Sequence, residues 1–165
     1  MTRKVREWVE NFVKANGPFK KVLEVGSLDV NGNVRDLFVE EYIGTDMREG
    51  PNVDKAINGH DLLKHFNPES FDCVLCLETL EHDNFFWITV DNMRQLVKPG
   101  GWMVITVPSL NHPRHDHPHD YWRFFGTAME SLFAGFEEVH IEEQNYAGQS
   151  LDLPDAVLAY GRKPL

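Results

Sequence analysis

The sequence is poor in cysteine, in basic residues and in long apolar runs, and each shortage excludes a class of proteins. Only two cysteines occur in 165 residues, so no disulfide framework holds the chain together. They stand as Cys73-x-x-Cys76, but a zinc ribbon needs a second such pair, and the sequence has none. The surrounding run FDCVLCL reads as a buried strand, in which residues three apart point to opposite faces. Both thiols are therefore expected to be free, buried and structural, as suits a reducing compartment. Lys and Arg number 16 against 26 Asp and Glu, a formal net charge of −10. That balance argues against charge-driven nucleic-acid binding, which needs a basic surface. No apolar run nears the roughly 20 residues of a membrane span. The N-terminal stretch MTRKVREWVENFVKANG lacks the apolar centre of a secretion signal. The expectation is a cytoplasmic protein with no membrane contact.

What is present is alternation. Residues 1–17 carry Val5, Trp8, Val9, Phe12 and Val13 at helical spacing, ended by Gly17-Pro18. Strands are predicted at KVLEV (Lys21–Val25), EEYIGT (Glu40–Thr45), NVDKAI (Asn52–Ile57), FDCVLCL (Phe71–Leu77) and WMVITV (Trp102–Val107). Helices are predicted from near Asn33, over Leu62–Phe66, over Phe85–Val97 and over Thr127–Ala134. FEEVHIEE and AVLAYGR supply two last strands. The connection from Met47 to Pro51 is too short for a full helix. The expected fold is α/β: a doubly wound, seven-stranded, mostly parallel sheet in three αβα layers, as one minimal domain over residues 1–165.

In such a sheet ligands bind beyond the carboxyl ends of the strands, where the strand order reverses. Residues suited to a ligand follow each strand. Glu24-Val25-Gly26-Ser27 ends the first, and Asn31-Gly32 closes its turn. Glycine there lets backbone approach a ligand closely. Asp46 follows the second strand, 20 residues beyond Gly26, a spacing at which a carboxylate can accept both hydroxyls of a ribose. His60-Asp61-Leu62 follows the third, and Glu78 the fourth.

Taken together, VLEVGS, YIGTD, GHDLL, FDCVLCLETLEH and LVKPGGWMVITVPS resemble the class I S-adenosylmethionine-dependent methyltransferases, within the broad group that includes the ubiquinone-biosynthesis type. The resemblance spans residues 22–109 of a cofactor-binding core at 21–109, and implies a Rossmann-like sheet with S-adenosylmethionine as cofactor. It implies that Glu24, Gly26 and Ser27 line the methionine part and that Gly32, where the first loop closes, belongs to the cofactor-binding set. Asp46 would hold the ribose, Met47 would pack on the adenine, and Asp61 would accept from the adenine amino group with Leu62 beside it. Leu77 and Glu78 would close the methionine side. The first loop, Gly26-Ser-Leu-Asp-Val-Asn-Gly32, is poorer in glycine than that family's usual pattern. An acidic pocket of this kind favours a cationic ligand.

The loop at 110–125 gathers His112, His115, His117, His119 and Asp120 into nine residues. Such residues suit a divalent ion, an acceptor-side wall with a base, or plain capping and packing. The reading adopted is the acceptor wall, with His119 and Tyr121 as catalytic candidates and no metal, because Pro113 and Pro118 stiffen the segment. The expected activity is methyl transfer to a small or medium acceptor. The alternatives are a non-catalytic cofactor-fold binding or regulatory subunit, and a nicotinamide dehydrogenase. With few insertions beyond the core, the acceptor site is either open to a bulky acceptor or completed by a second copy or partner subunit.

Overall fold

The computed structural model describes residues 1–145 and 153–165. Seven strands form one sheet: β1 (Lys21–Val25), β2 (Glu41–Asp46), β3 (Lys55–Ala56), β4 (Phe71–Leu77), β5 (Val97–Pro108), β6 (Glu137–Gln144) and β7 (Ala156–Arg162). Their order is β3-β2-β1-β4-β5-β7-β6. The first five run parallel, and β7 pairs antiparallel with both β5 and β6. The order reverses between β1 and β4, so the crevice expected of a doubly wound sheet opens at their carboxyl ends.

Each sheet face has its own core, as the alternation of the strands requires. On one face α1 (Arg3–Asn16) lays Val5, Trp8, Val9 and Phe12 over Val22, Leu75 and Val104. Thr2 caps that helix by accepting from the Val5 N–H at 3.3 Å. On the other face, α2 (Leu62–His65), α3 (Phe86–Leu96) and α4 (Gly126–Leu132) cover Leu23, Val74 and Ile105. Each such fully buried side chain contributes about 1.5–3 kcal/mol. Cys73 belongs to the first core and Cys76 to the second, both fully buried, as period-two geometry demands.

Three elements differ from expectation. The helix expected near Asn33 is a single 3-10 turn, Arg35–Leu37. Val34 and Phe38 do bury on the α1 face, but the chain must re-enter the sheet at Glu41 and leaves no room for further turns. The third strand shrinks to Lys55–Ala56, whose residues are exposed. The fifth begins at Val97 rather than Trp102, because Phe71 pairs with Val97 and Cys73 with Trp102. The residues between form a bulge, fixed by Lys98 Nζ donating to Asp72 Oδ1 at 2.6 Å. Among the described residues no helix is long and apolar enough to cross a membrane.

Candidate active site

A cleft of about 530 Å3 lies beyond the ends of β1, β2 and β4. Its floor is the turn after β1. Gly26 adopts φ +77°, and a Cβ there would stand 2.2 Å from Thr79 Oγ1, so only glycine fits. The Gly26 and Ser27 N–H groups both donate to the Thr45 carbonyl, at 2.8 and 2.9 Å. This ties the turn to β2. Gly32, at φ +115°, closes the loop, its N–H donating to Asp29 Oδ1 at 2.7 Å.

Two carboxylates set the electrostatics. Glu24 is 4% exposed. The Tyr42 hydroxyl and, at 3.2 Å, Asn52 Nδ2 donate to its Oε2. Burial outweighs those bonds and pushes its pKa from 4.5 to about 7. Glu78 sits at φ +50° just past β4, its N–H donating to the Thr106 carbonyl at 2.9 Å. Burial, with the charge of Glu81, raises its pKa to about 7 as well. Its Oε1 is buried without a well-formed hydrogen bond among the described residues, the Thr106 hydroxyl lying beside it. No cationic side chain among the described residues is hydrogen-bonded to either carboxyl group. The cleft is thus shaped to receive positive charge.

Of the residues singled out from sequence, Glu24, Gly26, Ser27, Gly32, Asp46, Met47, Leu77 and Glu78 all line this cleft. The Asp46 side chain is 12% exposed and accepts from the Arg48 N–H at 2.9 Å. Met47 is 65% exposed at the rim. Asp61 and Leu62 lie outside the lining. Asp61 turns to solvent and pairs with Lys64 at 2.7 Å, while Leu62 is wholly in the core. The 3-10 turn at Gly59–Asp61 is the cause: it presents Asn58, Gly59 and His60 to the cleft instead.

The side chains of His119 and Tyr121 also lie outside the lining. Their backbone faces inward, His119 accepting from His82 Nδ1 at 2.5 Å and Tyr121 donating to the Glu81 carbonyl at 2.7 Å. The rings are left exposed against each other. The loop instead brings His112, His115, Asp116 and His117 to the wall.

Sequence reasoning gave His60 a place after the third strand but no role, and gave none to Thr79, His82 or Asp83. His60 Nε2 lies 2.8 Å from Asp83 Oδ1, and Thr89 Oγ1 donates to Asp83 Oδ2 at 2.6 Å. The signal was the polar run after Glu78, whose later members fold back over the cleft.

A methyltransferase-domain family model matches residues 1–137. The chain belongs to that family. It is an S-adenosylmethionine-dependent methyltransferase of class I, and β6 and β7 continue the same sheet past the matched span. No curated protein matches the sequence significantly. Solved structures similar to this methyltransferase include the 1,6-didemethyltoxoflavin-N1-methyltransferase of Burkholderia thailandensis, with bound 1,6-didemethyltoxoflavin and S-adenosylhomocysteine. It is 17% identical, with 99% of this chain and 78% of that one covered and a TM-score of 0.73. The N-methyltransferase NodS of Bradyrhizobium japonicum is 18% identical, covering 99% and 96%, at a TM-score of 0.70. A methyltransferase of Archaeoglobus fulgidus is 15% identical, covering 96% and 94%, at 0.68. At these identities the likeness is one of fold.

Proposed function

We propose that this methyltransferase acts on a small or medium acceptor that enters over the wall of His112, His115, Asp116 and His117. The observation that supports the reading most directly is the pair Glu24 and Glu78: two buried carboxyl groups at one end of a cleft with no cationic side chain bonded to either. S-adenosylmethionine carries two positive charges and fits that demand. Glu24, Gly26, Ser27, Leu77 and Glu78 hold its methionine end, Asp46 its ribose hydroxyls, and Met47, Ile57 and the Asn58–His60 turn its adenine. When bound, the cofactor supplies an electrophilic methyl group. The chain's own part is positioning: the rigid Gly26 turn fixes one reactant, and the loop wall orients the acceptor and excludes water. The similar structure from Burkholderia thailandensis, crystallised with 1,6-didemethyltoxoflavin and S-adenosylhomocysteine, supports a small-molecule acceptor.

The test is calorimetric titration with S-adenosylhomocysteine and, separately, with NAD. The expected result is micromolar binding of the first and none of the second. Asp46→Ala should weaken that binding by about 1–3 kcal/mol, because the ribose hydroxyls lose a largely covered, charged acceptor. Equal affinity in the variant, or preference for NAD, would overturn the assignment.

A further inference from the structure

A second constellation lies behind the loop wall. Glu81, His82 and His115 offer three ligand atoms, all within 4.8 Å of one another. His82 Nε2 is 3.6 Å, and His115 Nε2 3.3 Å, from the same oxygen, Glu81 Oε1. Ligands about 2.1 Å from a tetrahedral ion stand about 3.4 Å apart. The observed spacings are those of tetrahedral edges, and 3.6 Å is too long for a hydrogen bond. We propose that Glu81, His82 and His115 form a binding site for a divalent ion of the zinc class, with a fourth position open to the cleft. The site stands on its own geometry and does not depend on which acceptor is methylated.

Three further observations support it. Glu81 is fully buried, and its Oε2 has no hydrogen-bond partner among the described residues. An unsatisfied buried carboxylate is costly, and an ion beside it supplies the missing partner. Both imidazoles are held as ligands are held. His82 Nδ1 meets the His119 carbonyl at 2.5 Å. His115 Nδ1 meets the Pro113 carbonyl at 3.3 Å and Asp120 Oδ2 at 3.4 Å. The His119 carbonyl only accepts, so His82 Nδ1 carries a proton and Nε2 is the atom turned toward Glu81. His115 Nε2 is within hydrogen-bond reach of Glu81 Oε1, a contact that raises the His115 pKa, and a bound ion would displace that proton. Asp120 is itself fixed: it accepts from Arg123 Nη2 at 2.6 Å and from the His115 N–H at 2.8 Å. Finally, His82 and His115 both line the cleft while Glu81 lies behind it, so an ion held by all three would face the acceptor space. The prolines do stiffen the loop, but the ligands that would join His115, Glu81 and His82, come from the turn after β4 and not from the loop itself.

The experiment uses the whole chain, freed of metal by a chelator and dialysed. Co2+ is titrated while visible absorption is followed, with Zn2+ competition afterwards. One equivalent of Co2+ should give the intense bands of a tetrahedral centre, and Zn2+ should erase them. In the same sample, Co2+ should broaden the ring NMR signals of His82 and His115 and leave those of His140 sharp. Glu81→Gln and His115→Gln, each confirmed folded by circular dichroism, should weaken binding by about 100-fold or more. The parent measurements decide alone if a variant does not fold. Absence of tetrahedral bands in the parent, or broadening spread evenly over all histidines, would overturn the proposal. So would folded variants that bind as the parent does.

Discussion

Replacing Glu24 by Gln tests the electrostatic reading of the cleft. The Glu24 carboxyl is 4% exposed, and burial lifts its pKa from 4.5 to about 7. Between those values the folded chain keeps a proton that the unfolded chain releases. Stability therefore falls as pH rises from about 4.5 to about 7, and the loss is complete above that. At about 1.4 kcal/mol per unit, this shift is on the order of 3 kcal/mol. Gln keeps an acceptor for the Tyr42 hydroxyl and carries no charge. The variant should match the parent near pH 4.5 apart from a constant offset and gain on it by up to about 3 kcal/mol by pH 8. Glu78 titrates in the same direction and window, but in both proteins, so the difference between the two curves isolates Glu24. The assay is urea unfolding of the cofactor-free protein at half-unit steps from pH 4.5 to 8. A cation on Glu24 favours its ionised form, so binding of S-adenosylhomocysteine by the parent should strengthen as pH rises through 7, with release of a proton. Parallel stability curves for parent and variant would refute the burial argument.

Gly26→Ala should destabilise the chain by about 1–3 kcal/mol and abolish cofactor binding, since the new Cβ meets Thr79 at 2.2 Å in a left-handed backbone. Calorimetry showing parental affinity would mean that the Thr79 side of the turn yields. Cys76→Ala should cost about 1 kcal/mol by urea unfolding, as a small cavity in a full core does, with affinity for S-adenosylhomocysteine per folded molecule unchanged. A folded variant that binds the cofactor much more weakly would place the thiol in the site.

The central strands were legible because β4 and the Trp102–Val107 part of β5 are buried on both faces and read as near-continuous apolar runs. Glu24, Asp46 and Glu78 were legible because each stands at or just past the carboxyl end of a strand, β1, β2 and β4 respectively. A strand fixes where its next residue goes. The failures lie where a short turn, not a strand, sets direction. Asp61 and Leu62 sit where a strand end meets the start of a predicted helix, and a 3-10 turn at Gly59–Asp61 rotates that junction and offers His60 to the cleft. In the loop at 110–125, alternation of His and Pro gives no periodicity from which to tell inward from outward. The choice between His115 and His119 depends on the Asp120–Arg123 clamp and on backbone bonds to Glu81 and His82, which no local pattern encodes.

Those backbone bonds make the turn after β4 the joint between the two halves of the site. Glu78 takes a left-handed conformation, which turns the chain out of the strand direction over the Gly26 floor. Thr79 then fills the space a side chain on Gly26 would need. Two residues later Glu81 points the other way, fully buried under the loop, with His115 Nε2 3.3 Å from its Oε1. One five-residue segment, Glu78 to His82, therefore shapes the Gly26 end of the cleft with its first two residues and anchors the loop wall with its last two. A change that lifts the loop also uncovers Glu81, and the charge of Glu81 is one of the two causes that hold the Glu78 proton. The loop wall and the Gly26 end of the cleft are thus coupled through adjacent carboxyl groups and need no movement of the sheet.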